Sequence, residues 1–363
     1  MFGPRTLFLA AVVLVAVPAT RASAQAAARI YVDAIKTINA EHAKKPGAGR
    51  EEDLAKRLGS EPKAVLEKLL AAKPSPETAA ALLDCGNAAA DLDLQADFDA
   101  IRKRLLATAP EAAEKLGRMH STKRFILRLA GAFADDYPTH FAAVATAVLE
   151  AYDAVFGFTE FSKVAGKKLR FFVHLEKSIT RPPHFAPQFP FHSEIDFPVV
   201  DPAALKSPTA DGKFLFYGLC HELGHVVAMW GDRTNEEDRH AWAHFTGVVV
   251  VQYMSEKMSD RPFMKELRDA RWRSVDLEKK EIAQKKILPG RKDAAAVGAL
   301  LIALADLVGT KAIGAAINRL DKEDRRLRIN GVRYYGFRDF ETALLAVVEK
   351  AKAKPLQDLF AAP

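Results

Sequence analysis

Residues 214–230 read FLFYGLCHELGHVVAMW. Leu215, Leu219, Leu223, Val226, Val227 and Trp230 recur at intervals of three and four, which predicts a helix with a buried face. Gly231 stops it. Within it, His221 and His225 are four residues apart, so both imidazoles lie on one side and can reach one metal ion. Glu222 lies about 100° further round the helix. It cannot easily share a tetrahedral shell with them, but it can touch a water beside the ion. A zinc ion acidifies such a water, and a carboxylate placed like Glu222 can accept its proton and pass it to a leaving amine. The pattern therefore predicts a Zn2+ site with His221 and His225 as ligands and Glu222 as general base. Two histidines satisfied by acidic partners in a core are the plainer alternative.

Catalytic zinc needs a third protein ligand and an open fourth position. The metzincin spacing would place Gly at 228 and His at 231. The chain has Ala228 and Gly231, which excludes that class. Asn235 can cap a further helix to about Lys257, whose first turn carries Glu236, Glu237 and Asp238. Glu237, His240, His244 and Val248 share one face of it. His240 is the favoured third ligand and Glu237 the alternative, with Glu236 or Asp238 behind them. Whichever is not a ligand is expected to orient an imidazole.

Upstream, the chain changes character near Gly117. The run 124–129 (RFILRL) predicts a strand. Asp136 and Pro138 open a helix that ends at Gly157. Leu169, Phe171, Val173 and Leu175 alternate along a strand. A proline-rich stretch with Pro182, Pro183, Pro187 and Pro190 leads into a strand at 193–200, where Pro198 predicts a sheet edge. Downstream, 256–292 carries 12 basic and 7 acidic residues, the pattern of a solvated helical face. Helices are expected at 293–309, 310–321 and from about Asp339 to Ala351. Asn330-Gly331 predicts a hairpin turn. Tyr334 and Tyr335 beside it are candidate oxyanion stabilisers, with ordinary packing as the competing role.

Residues 26 to about 115 are Ala-rich and helical in pattern, with Leu54, Leu58, Val65, Leu69 and Leu70 at helical spacing. Breaks fall at Pro46, Gly47, Gly49, Pro74 and Pro76. Asp84, Asp91, Asp93 and Asp97 read as solvated helix faces. Before this module, Arg5, the apolar run 7–17 and Ala22-Ser23-Ala24 form a signal-peptide pattern, with cleavage predicted after Ala24. The 363 residues carry 53 basic and 46 acidic side chains, a net +7, which falls to 51 − 46 = +5 once Arg5 and Arg21 are removed. So modest and dispersed an excess argues against nucleic acid as a partner. No later run is long enough for a membrane span, so no stable span is expected after cleavage. Two cysteines, Cys85 and Cys220, exclude a disulfide scaffold and a zinc ribbon. Cys220, beside His221, reads as a buried apolar thiol.

With these residues in view, the chain resembles the peptidase MA clan, on the gluzincin-like side that contains thermolysin and the related zinc aminopeptidases. The likeness spans about 120–350 and rests on His221, Glu222 and His225. Glu236 beside Asn235 is similar to the Asn-Glu pair of thermolysin-like enzymes. Trp242-Ala243-His244-Phe245 is similar to a Glu-Gly-Trp-Ala-x-aromatic signature in which His240 takes the glutamate position. An Asn-Glu-x-x-Ser/Ala-Asp motif is absent, which leaves the third ligand open. The resemblance implies a mixed sheet against the active-site helix, a helical subdomain after it, and an edge strand, expected at 193–200, that pairs with an extended peptide or protein substrate.

The expected fold class is α+β and predominantly helical. A signal peptide occupies 1–24 and an all-helical module 25–117. A zincin-like domain fills 118–363, its sheet and HExxH helix reaching about 257. The expected activity is that of an exported zinc metallopeptidase, periplasmic, envelope-bound or secreted. A non-catalytic zinc-stabilised binding module of the envelope is the alternative.

Overall fold

The computed structural model describes residues 20–44, 56–157, 169–177, 184–188, 192–205, 210–227, 236–257, 294–323, 327–329, 332–334 and 337–361. These form a mostly helical α+β protein with one small mixed sheet. The signal pattern before residue 20, the charged segment 258–293, the turn at 330–331 and Tyr335 lie outside the described residues.

The N-terminal third of the chain is helical, as its composition predicts. Helix α1 (Thr20–Lys44) buries Ala28, Tyr31, Ile35 and Ile38. The cut predicted after Ala24 falls near the start of this helix and leaves those four positions in place. Helix α2 (Ser60–Ala71) follows, then α3 (Pro76–Asp91), whose Ser75 cap accepts from Thr78 N at 3.1 Å. Helices α4 (Gln95–Thr108) and α5 (Pro110–Leu116) complete the bundle. Its acids include two with specific partners: Asp97 accepts from the buried Tyr31 hydroxyl at 2.6 Å, and Asp93 from Ser121 at 3.1 Å.

Gly117 (φ +77) turns the chain into the sheet where a Cβ would run into Leu129 O. Strand β1 (Arg118–Ser121), which the periodicity does not reveal, pairs antiparallel with β2 (Phe125–Ala130). Helix α6 (Tyr137–Phe156) crosses from β2 to its parallel neighbour β3 (Leu169–Leu175). Next come β4 (His184–Gln188) and β5 (His192–Val199). The spatial order is β1-β2-β3-β5-β4, with β5 parallel to β3 and antiparallel to β4.

This corrects one expectation. The strand read at 193–200 is interior, and the edge is β4, inside the proline-rich stretch. Pro198 is tolerated because it lies beyond Asp196, the last β5 residue that β4 pairs with.

The sheet's two faces have different neighbours. Leu127, Leu129, Phe171, Val173, Ile195 and Phe197 pack with Phe141 and Val148 of α6 in the main core. The other face carries Ile126, which joins the core of the N-terminal bundle. There Arg128 donates to Asn87 at 2.8 Å, and the buried Arg170 to Asp91 O at 2.6 Å.

Helices α7 (Ala210–Val227) and α8 (Glu236–Lys257) contribute to the main core. Helices α9 (Ala294–Val308) and α10 (Thr310–Glu323) come next. The short hairpin β6 (Leu327–Ile329) and β7 (Val332–Tyr334) follows, as its turn signal predicts. The last expected helix is instead two, α11 (Phe337–Leu345) and α12 (Lys350–Ala361). Helix α12 keeps Pro355 inside it because Leu356 and Phe360 are buried, with Phe360 against Phe340 at 6.1 Å. Among the described residues no single helix is long and apolar enough to cross a membrane.

Candidate functional site

Leu215, Leu219 and Leu223 of α7 are buried as predicted, whereas the side chains of Val226 and Val227, and all of Trp230, lie outside the described residues. Leu215, Phe216, Leu219, Cys220 and Leu223 enter the main core. Tyr217, His221 and His225 follow one another at four-residue spacing along another stripe. Helix α8 crosses it at very short range. A Cβ on Gly224 would strike Thr246 Oγ1 and stand 2.8 Å from Ala243 Cα, while one on Gly247 would stand 3.3 Å from His221 Cα. As the α7 position falls from 224 to 221, its α8 neighbour climbs from 243 to 247, so the helices are antiparallel. Gly224 of HELGH is therefore a steric necessity, and Gly247 of the helix after it leaves room for little more than itself.

A third helix fixes the same spot. Tyr152 of α6 is fully buried, and its hydroxyl donates to Cys220 O at 2.6 Å, one residue before His221. It also stands 3.2 Å from Thr246 Oγ1, which donates to Trp242 O at 3.0 Å. Burial is the main cause holding the Tyr152 phenol well above its ordinary pKa, with Cys220 and Glu222 adding to it. Trp242 is buried among Phe156, Phe245 and Phe340, with ring centres 6.0–6.4 Å apart.

On this frame His221, Glu222 and His225 come together. Each offers one ligand-capable atom, and these atoms lie within 4.8 Å of one another. His221 and Glu222 are buried and His225 is half-buried, so the group opens at the His225 end. The His221 and His225 rings are 4.8 Å apart and nearly perpendicular. His221 Nδ1 is shut off from solvent. Two imidazoles and a carboxylate within one helical turn are a donor set that could hold a divalent ion.

Other site expectations fare unevenly. Glu236, Glu237, Asp238 and His240 all fall on α8, but their side chains lie outside the described residues. Tyr334 is on β7, its side chain likewise outside the description, as is all of Tyr335. His174 alternates with Val173 and so occupies the sheet face opposite the main core, where Nε2 stands 3.0 Å from Asp196. Cys85 and Cys220 are both free and buried, in separate cores.

The structure adds two residues. His244 of α8 places its ring 4.5 Å from that of His221, and Tyr217 holds His244 Nδ1 at 2.8 Å. Tyr217 sits one turn before His221 on the same stripe, which is the signal that could have found it.

No protein-family profile, curated protein or solved structure matches this chain.

Proposed function

We propose that the chain is a zinc-dependent metallopeptidase of gluzincin-like architecture, exported as its N-terminal pattern implies. The carrying observation is the convergence of His221, Glu222 and His225 within 4.8 Å on one helical turn. His221 and His225 would hold the ion, with a third donor from the start of α8, His240 or, alternatively, Glu237. When bound, zinc supplies Lewis acidity, which polarises a carbonyl and acidifies a water.

The rest falls to this chain's own residues. The Glu222 carboxylate takes the proton of the attacking water and returns it to the departing amine nitrogen. Burial of Glu222 keeps bulk water from competing for that proton. The antiparallel edge strand β4 adjoins α7, and its outer edge supports docking of an extended peptide by main-chain hydrogen bonds. A mixed sheet over the HExxH helix, with helices after it, supports the zincin-like reading.

The test compares wild type with Glu222→Gln for zinc content and for cleavage of a mixed peptide library. The expected result is zinc retained in both, with turnover lowered by about 10²–10⁴-fold in the variant. Zinc bound by both with no cleavage by either would replace this reading with a non-catalytic binding module.

A further inference from the structure

His221 is enclosed by three rings. His225 stands 4.8 Å away and Tyr217 6.2 Å, but the nearest is His244, at 4.5 Å with the planes inclined by 63°. His244 lies outside the group of mutually close ligand atoms formed by His221, Glu222 and His225. It therefore stands beside the group as a neighbour of one member.

Its own ring is fixed from the opposite helix. Tyr217 Oη lies 2.8 Å from His244 Nδ1, so rotation of His244 about its χ2 would break that hydrogen bond. The two residues close a bridge across the α7–α8 crossing, and His221 sits inside it. The bridge is this short because Gly224 and Gly247 let the two backbones approach.

We infer that His244 and Tyr217 are positioning residues that lock the His221 imidazole in the orientation from which it binds a metal ion. The inference rests on the proposed metal site. An imidazole on a lone helix samples several rotamers, and a metal ion that binds it must arrest that motion. A ring already confined by neighbours has less freedom to lose, so affinity rises without any additional ligand. Outer partners of metal-bound histidines act in this way, by fixing ring orientation. A Tyr–His pair drawn from two helices also makes the arrangement depend on the crossing itself.

The experiment titrates metal-free protein with Co2+ alone and follows both affinity and the visible d–d band. Wild type, Tyr217→Phe, His244→Gln and the double variant are compared, with His221→Ala to identify the band as belonging to this site. Tyr217→Phe keeps the ring and removes only the hydroxyl, so it decides the matter even if His244→Gln does not fold. Thermal unfolding without metal checks each fold. The expected result is a loss of affinity of about 10–100-fold in each single variant. The band changes shape, and the double variant loses little more than the worse single one, because the two residues act as a unit. Folded variants that bind Co2+ with wild-type affinity and an unchanged band would overturn the inference and leave the metal site standing. A wild type that binds no Co2+ at the His221 site would overturn both.

Discussion

At the scale of single residues, burial decides most of the chemistry outside the histidine group. Cys85 sits in the N-terminal core, and burial pushes its thiol from an ordinary 9.0 up to about 12. Cys220 is enclosed in the main core and is likewise held well above its usual value. A thiol with a raised pKa keeps its proton in the fold and releases it more readily on unfolding. The stability it contributes is whole below pH about 9 and is lost as pH climbs to about 12. Cys85→Ala should therefore cost stability at neutral pH, and the gap to wild type should narrow across that alkaline interval. Denaturant midpoints measured through the interval check this, and a gap that stays constant would contradict the raised thiol. His221, Glu222 and His225 were legible as a group because their relation is local, set by one turn of helix. The contact of Tyr217 and His244 with His221 was not, since it depends on how two helices cross, which no local period records.

At the scale of elements, the α7–α8 crossing governs the site. Gly224→Ala pits two effects against each other. Alanine gains up to about 1 kcal/mol of helix propensity over glycine. Overpacking against Ala243 and Thr246 costs about 1–3 kcal/mol. The steric cost should win, since the facing atoms include α8 backbone, which cannot swing aside. The expected outcome is a lower urea midpoint together with weaker binding at the proposed metal site, because the displaced helix carries both histidines. A Gly224→Ala variant more stable than wild type would show that the close approach is not binding on the fold. The same scale explains where sequence reading failed. Strand β4 is only five residues and contains Pro187, so its alternation is hidden and Pro198 makes β5 read as the edge. Strand β1 is four residues long, too few to establish a period. The helices around Trp242 and the strand β3 were legible because their buried positions repeat over many turns or pleats.

At the scale of the whole molecule, the N-terminal bundle and the sheet are joined by more than a linker. Met119 and Ile126 lie in the bundle's core, and Gln95 donates to Met119 O at 3.3 Å. Arg170, 4% exposed, spends its guanidinium on the Asp91 carbonyl of α3. Removing residues 1–117 would expose the two apolar side chains to water and take from Arg170 its carbonyl partner, a loss of a few kcal/mol. The shortened chain should fail to unfold cooperatively, while the full chain should melt in one transition. Calorimetry of both decides it, and a truncated chain that melts at the full-length temperature would make the bundle a detachable domain. The sequence announced a helical module and a change near Gly117. It did not announce the docking, because Arg128 and Arg170 alternate along their strands as solvent-facing residues would.

That docking gives the sheet a second property. Its hydrocarbon side backs the core that α7 shares, and its arginine side backs the bundle, with a lattice of paired backbone between. A partition of this kind insulates as well as supports. Substitutions scattered over the outward surface of the bundle can alter whatever that surface meets while the proposed site beyond the wall keeps its geometry.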